Sequence, residues 1–316
     1  MSHDDSERPP EDRSSTVSPI TACGTSLPES LGAREDTQDT LAGTTVIIGA
    51  NDDSPILVNN TSSSIDRKED LIDTVAASHD SSSARTNYIA KLSRFLDEIF
   101  PQLYPRVPEE DGLKASRHER LSKGYNSVTL TYGEVSGHGF ADILAKIRHV
   151  YGGLPEKGGT FYDLGSGTGI PVFVAAAFHH WDRCVGFEIL SEVHAISDKA
   201  LERWNGGLKD AVVVDDSKGG LTEIEFVCGD FTVFDWSDGD VVFANSTCFD
   251  DELMGKVSKQ AASLKEGAIV VTQTDPIPSP AFEVLEETTM QQAGRTATTC
   301  FIQRRLPKPP PALDLA

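Results

Sequence analysis

Phe161-Tyr162-Asp163-Leu164-Gly165-Ser166-Gly167-Thr168-Gly169 is the stretch on which the reading of the chain turns. It begins as a buried strand that ends in an acidic residue and runs into a glycine turn. The run Ile170-Pro171-Val172-Phe173-Val174-Ala175-Ala176-Ala177-Phe178 follows at once and predicts a helix. Pro171 suits the first helical turn, where its missing N–H costs nothing. Glycines allow the sharp turn and let a ligand approach the main chain closely. The next apolar segment, Cys184-Val185-Gly186-Phe187, predicts a second strand that ends in Glu188. An acidic residue about 20 positions beyond a glycine turn is placed to bind ribose hydroxyls in nucleotide-binding βαβ units.

The spacing narrows the choice of nucleotide. A dinucleotide fingerprint needs a third glycine three positions after the second, and that position is Ile170. A phosphate-binding loop needs a Lys-Ser/Thr pair after the glycines, and none is present. The order is instead acidic-x-Gly-x-Gly-x-Gly, led by Asp163 and continued by Gly165, Gly167 and Gly169. This resembles motif I of class I S-adenosyl-L-methionine (SAM) methyltransferases. The implied cofactor is SAM, which has no phosphate, so the turn need only pack against the methionine and ribose part.

Composition bounds the answer from outside. The chain has 316 residues and a net charge of −21, which argues against a broad basic face for nucleic acid. Residues 1–88 hold 16 acidic and 6 basic residues, so more than half of the excess acid lies beyond them. Cys23, Cys184, Cys228, Cys248 and Cys300 are scattered, odd in number and without CxxC spacing. That fits a reducing compartment and argues against a disulfide frame or a zinc site. The longest apolar run, Ile170 to Phe178, is too short to span a bilayer. The start, Met1-Ser2-His3-Asp4-Asp5, lacks the basic and apolar regions of a signal peptide. An intracellular protein with no bound metal and no membrane association is expected.

Along the chain, residues 1–85 are rich in Ser, Thr, Asp and Pro and read as a disordered acidic region, with the more apolar Leu41–Val58 as linker. Residues 86–135 read as a helical lead-in. Ile89, Leu92, Phe95, Leu96, Ile99 and Phe100 recur at helical spacing and Pro101 is expected to stop that helix; a second helix is expected over Arg117–Lys123. Residues 136–306 read as the main domain. Its first helix, about 137–150, presents Phe140, Ile143, Leu144 and Ile147 on one face. Later helices are expected over about 191–204 and 250–264, and strands at Ile224–Val227, Asp240–Asn245 and Ala268–Thr272. Phe282–Glu287 and Thr296–Gln303 are expected to pair antiparallel. Residues 307–316 form a Pro-rich tail. Alternating strands and helices imply an α/β fold with a mostly parallel, doubly wound, Rossmann-like sheet and an antiparallel late strand pair.

In open α/β sheets, ligands bind beyond the carboxyl ends of the strands. Asp163, Glu188, Asp230 and Asn245 fall at four successive strand ends. Glu188 can accept from both ribose hydroxyls, and Asp230 from an adenine amino group while Phe231 stacks on the ring. Each alone also suits a helix cap or a core ring; four in phase point to one site.

Three further pieces resemble the non-SET histone H3 lysine methyltransferases, the disruptor-of-telomeric-silencing family. Thr131-Tyr132-Gly133-Glu134 resembles that family's Tyr-Gly-Glu loop, which covers bound SAM. Asp163 to Gly169 with Glu188 resembles its glycine motif. Gly229-Asp230-Phe231, followed by Val242-Phe243-Ala244-Asn245-Ser246-Thr247-Cys248-Phe249, resembles its Phe-Val-Asn-Asn-Phe-Ala-Phe run. Lys265-Glu266-Gly267 resembles its Lys-Glu-Gly approach to a strand. The resemblance covers about residues 120–305. It implies a class I methyltransferase fold, cofactor contacts from Tyr132, Glu134 and Asn245 beside those above, and a catalytic part for Asn245 and Tyr132. It implies a protein acceptor, histone H3 in nucleosomes, and a nuclear location; otherwise the protein would be cytoplasmic. The family has Thr at Val135, Gln at Ile170, Asn-Phe at Ser246-Thr247, and a Tyr near the lysine channel where this chain has Thr298-Thr299-Cys300-Phe301. The family reaches nucleosomal DNA with basic segments, whereas the basic cluster here is Arg304-Arg305 with Lys308. Little direct DNA binding is expected.

Methyl transfer is an in-line displacement from a sulfonium, so orientation does most of the work and can supply about 7–11 kcal/mol. A lysine amine must first lose its proton, which an apolar channel favours. Asn245 is expected to accept a hydrogen bond from the amine, with Phe249 and Phe301 as channel walls. Two other readings stay open on sequence alone: a class I methyltransferase for another protein or a small molecule, and a SAM-binding interaction protein without catalysis.

Overall fold

The computed structural model describes residues 92–212, 222–294 and 296–308. The expectations for residues 1–85 and for most of the Pro-rich tail lie outside these residues. Seven strands form one sheet: β1 Thr160–Leu164, β2 Arg183–Glu188, β3 Glu223–Cys228, β4 Val241–Ala244, β5 Ile269–Gln273, β6 Phe282–Met290 and β7 Thr298–Arg305. Their order is β3-β2-β1-β4-β5-β7-β6. Strands β1 to β5 pair in parallel, while β7 runs antiparallel to both β5 and β6. The expected α/β, mostly parallel Rossmann-like sheet with an antiparallel late pair is what the chain forms.

The sequence dictates this arrangement through burial on both faces. All residues of β1, β4 and β5 are buried, as near-continuous apolar runs in a parallel sheet require. Neighbours along a strand point to opposite faces. Phe161, Val241, Phe243, Ile269 and Val271 therefore join one core, and Tyr162, Val242, Ala244 and Val270 the other. Among the described residues four helices cover the faces, α2 Gly137–His149, α3 Ile170–Phe178, α4 Ser191–Asn205 and α5 Asp251–Ala261, and α1 Pro108–Lys123 packs on α4. The face of α2 is Phe140, Ile143, Leu144 and Ile147, all buried; Phe140 packs against Phe161 and Phe243 at centroid distances of 5.8 and 4.8 Å. The opposite core is closed by Met254, Val257 and Ala261 of α5.

The lead-in departs from expectation twice. Pro101 does not stop the first helix: a wide π-turn over Phe95–Ile99 passes into Phe100–Leu103, with the proline in the first turn of that piece. There a missing N–H is tolerated. Helix α1 is also longer than the Arg117–Lys123 expected, starting at Pro108 and ending at Gly124 with φ +68. Its buried residues are Gly112, Ser116 and Glu119, a face that apolar periodicity cannot reveal. Glu119 accepts from the main-chain N–H of Ser191 and Glu192 at 3.1 and 2.7 Å. It thereby caps α4 from another helix.

Arg304 donates to the carbonyl of Tyr151 at 2.7 Å. Buried Arg305 donates to the carbonyls of Ala262, Ala281 and Leu306. Both arginines of the basic cluster thus serve the fold. Cys184, Cys248 and Cys300 are free. Among the described residues no helix is long and apolar enough to cross a membrane.

Candidate active site

Strand β1 has β2 on one side and β4 on the other. The strand order reverses there, and such a reversal opens a crevice at the carboxyl ends of the strands. The glycine turn after β1 lies at this point. Gly165, Gly167 and Gly169 have φ of +87, +56 and +93, a region that costs side-chain-bearing residues energy. At Gly169 a Cβ would also lie 2.5 Å from the ring of Phe226. The turn is tied to the end of β2 by the N–H groups of Gly165 and Ser166, which donate to the Phe187 carbonyl at 2.9 and 2.8 Å. Ile170 points away from the turn into the core.

Three carboxyls are buried around this turn. Glu188 accepts from the N–H of Gly167 at 3.0 Å and of Leu190 at 2.8 Å. Glu134 accepts from the hydroxyls of Tyr132 and Thr168, and Tyr104 donates to the Thr168 carbonyl at 3.0 Å. Burial pushes Glu134 and Glu188 up to about 7. Asp163 is 1% exposed, and neither carboxyl oxygen has a hydrogen-bond partner. Burial, and then the negative charge of Glu134 and Glu188, raise it well above the usual carboxylate range. The Ser166 hydroxyl is likewise buried without a partner. A buried acid is costly unless hydrogen-bonded or met by a cation. This set of acceptors therefore fits SAM, which brings a sulfonium, an ammonium group and ribose hydroxyl donors.

Tyr132 lies over the turn: a Cβ on Gly167 would sit 3.3 Å from its ring, and one on Gly112 would strike its hydroxyl end. Asp230 caps the short turn Phe231–Val233, accepting from the Thr232 N–H at 2.9 Å. Phe231 stacks on Phe249 with centroids 5.8 Å apart and planes at 24°. Asn245 stands at the start of the turn Ser246–Cys248 but makes no side-chain cap there. Its Nδ2 instead donates to the Gly133 carbonyl at 2.9 Å. Phe301 sits in β7 opposite Thr272.

Tyr132, Glu134, Asp163, the three glycines and Glu188 thus surround one point. Asp230 and Phe231 stand with Phe249 at the end of β3, and Asn245 reaches the Tyr132 loop through Gly133. Sequence reasoning missed Tyr104 and Thr168 as supports of that loop. It also missed Gln273 and Gln292, whose side chains bond at 2.7 Å near the end of β4. No local pattern marks such residues, since their partners are remote in the chain. Among the described residues no group of His, Cys, Asp or Glu is placed to hold a metal ion.

Solved structures similar to the chain include the rRNA methyltransferase aviRa from Streptomyces viridochromogenes, with 15% identity, TM-score 0.40, and 55% of this chain and 86% of that one covered. MtNAS in complex with MTA and tNA has 13% identity and TM-score 0.39, covering 76% and 87%. TrmN from Thermus thermophilus has 17% identity and TM-score 0.37, covering 48% and 45%. No curated protein matches the chain. The family described as "Histone methylation protein DOT1" matches residues 115–298, a span that holds the second half of α1, the Tyr132 loop, the glycine turn and all four strand ends. The chain belongs to that family and is a SAM-dependent histone-lysine methyltransferase.

Proposed function

We propose that the crevice at the carboxyl ends of β1 to β4 holds SAM and presents its methyl group to a lysine of histone H3 in the nucleosome, in the nucleus. The observation that carries this reading is Asp163, a buried carboxyl with no hydrogen-bond partner, between two other buried acids. Asp163 and Glu134 face the positive charge of the cofactor. Glu188 takes the ribose hydroxyls on oxygens already oriented by Gly167 and Leu190. Asp230 and Phe231 hold the adenine edge and face, and Tyr132 with Glu134 covers the cofactor.

The cofactor supplies an electrophilic methyl group on sulfur. The chain's contribution is orientation, desolvation of the amine and exclusion of water. Val242, Phe243 and Ala244 are buried up to the strand end, so an amine arriving at Asn245 leaves water and its neutral, nucleophilic form is favoured. Asn245 then orients that nitrogen, through an interaction made only when both substrates are present. The charge of −21 favours a basic histone segment over DNA. The internal engagement of Arg304 and Arg305 leaves them committed to the fold.

The test is incubation of the full chain with labelled SAM and, in parallel, nucleosomes, free histone H3 and cell extract. Label on an H3 lysine is the expected result. Label only on another protein or on a small molecule would overturn the acceptor. SAM binding with no transfer to any of them would identify an interaction protein.

A further inference from the structure

We infer that Gln273, Gln292 and Thr298 form a positioning network that sets the cofactor-covering loop, residues 132–136, against the acceptor end of β4. The inference rests on the reading of that loop as the cover of the SAM site and adds what holds it in place.

The three side chains close a triangle. Gln292 Nε2 donates to Gln273 Oε1 at 2.7 Å and to Thr298 Oγ1 at 2.9 Å. Thr298 Oγ1 donates to Gln273 Oε1 at 2.6 Å. Gln273 is 0% exposed and Gln292 is 5% exposed, and the remaining amide of Gln273 meets Met290 Sδ at 3.5 Å. A buried polar cluster of this kind is stable only when its members are satisfied together, and it then admits one arrangement.

Each corner leads to a part of the site. The main chain of Gln273 is locked to Ser246, whose Oγ donates to the Gln273 carbonyl at 2.6 Å and accepts from its N–H at 2.9 Å. Ser246 adjoins Asn245. Gln292 forms an antiparallel bridge with Val135. On either side of it, Ala293 N–H donates to the Glu134 carbonyl at 2.8 Å and Ser136 N–H to the Gln291 carbonyl at 3.0 Å. Glu134 in turn holds Tyr132 over the glycine turn. The Asn245 amide closes the circuit on Gly133. The loop and the strand end are therefore joined twice, once directly and once through the triangle.

The experiment compares the full-length wild type with Gln292→Leu, which keeps bulk and removes both donated bonds while Gln273 and Thr298 stay paired. Hydrogen exchange is measured on the free protein, and SAM affinity by calorimetry. Amides of 132–136 should exchange about tenfold faster, and SAM should bind about tenfold more weakly because the loop is no longer pre-organised. Amides of β1 and β4 should keep their rates, and the KM for SAM should rise while that for nucleosomes stays within about twofold. Exchange that is unchanged in the loop, or raised equally in β1 and β4, would overturn the proposal. Should Gln292→Leu fail to fold, Thr298→Val and Thr298→Ser make the same comparison. The valine should free the loop, and the serine, which retains the hydroxyl, should not. If wild type binds no SAM, the reading of the loop as a cofactor cover fails, while the exchange data still decide whether the triangle holds it.

Discussion

Asn245 donates its side-chain amide to the main-chain carbonyl of Gly133 across 2.9 Å, linking residues 112 positions apart. The bond joins the end of a central strand to the loop that carries Tyr132 and Glu134. It also bears on one of the uses that sequence left open. At the first position of a short turn an Asn commonly caps the following N–H groups, and this one does not. Its oxygen accepts from the Thr247 hydroxyl at 3.3 Å, which orients the amide.

Asn245→Ala should lower turnover on nucleosomes about 100-fold, the typical cost of misplacing a reacting group by about 1 Å. SAM affinity should fall much less, because the contacts proposed for Asp163 and Glu188 would persist. Steady-state kinetics beside calorimetry reads the two effects apart. Full turnover in the variant would show that the residue serves only the loop.

Glu188→Ala should weaken SAM binding about 10- to 100-fold, as expected for loss of charged hydrogen bonds worth about 1.5–3 kcal/mol. The residue also holds the N–H of Gly167 and of Leu190, so circular dichroism should accompany the calorimetry. Equal affinity in a folded variant would remove the ribose assignment.

The pH dependence follows from the two glutamates pushed up to about 7 from an ordinary value of 4.5. Their folded values lie above their unfolded ones. Between about pH 4.5 and 7 the folded chain therefore holds protons that the unfolded chain has lost. In the absence of ligand their contribution to stability falls as pH rises through that window. A cation favours the ionised acids, so SAM affinity should rise from pH 6 to 8 and binding should release protons below pH 7. Calorimetry in two buffers of different ionisation enthalpy measures that release; none at pH 6.5 would contradict the assignment of these acids to the cofactor.

Glu119→Ala should destabilise the fold by about 1–2 kcal/mol, the cost of losing a helix cap. Burial alone would raise the Glu119 carboxyl. Donors from Lys123, Glu192 and Ser191 outweigh it and hold the pKa below the usual value. That contribution is present at neutral pH and is lost as pH falls through the folded value. Thermal melts of wild type and variant should therefore differ at pH 7 and converge in acid.

The sequence by itself determined the sheet, the glycine turn and the acid at the end of β2. These are local: an apolar run of four or five residues, a turn that needs positive φ, and a spacing fixed by one helix. Asp163, Glu188, Asp230 and Asn245 could be set at strand ends for the same reason. What only the tertiary structure decided are relations between remote segments. The first half of helix α1 escaped pattern reading because its inner face is Gly112, Ser116 and Glu119, which fit the Tyr132 hydroxyl and the start of α4. Arg304 and Arg305, the basic cluster of the sequence, are spent on carbonyls of the fold. The isolation of Asp163 and the triangle of Gln273, Gln292 and Thr298 depend on which groups are buried together. Periodicity reports whether a residue is buried, but a hydrogen bond between distant side chains leaves no period in the sequence, so those pairings exist only once the chain has folded.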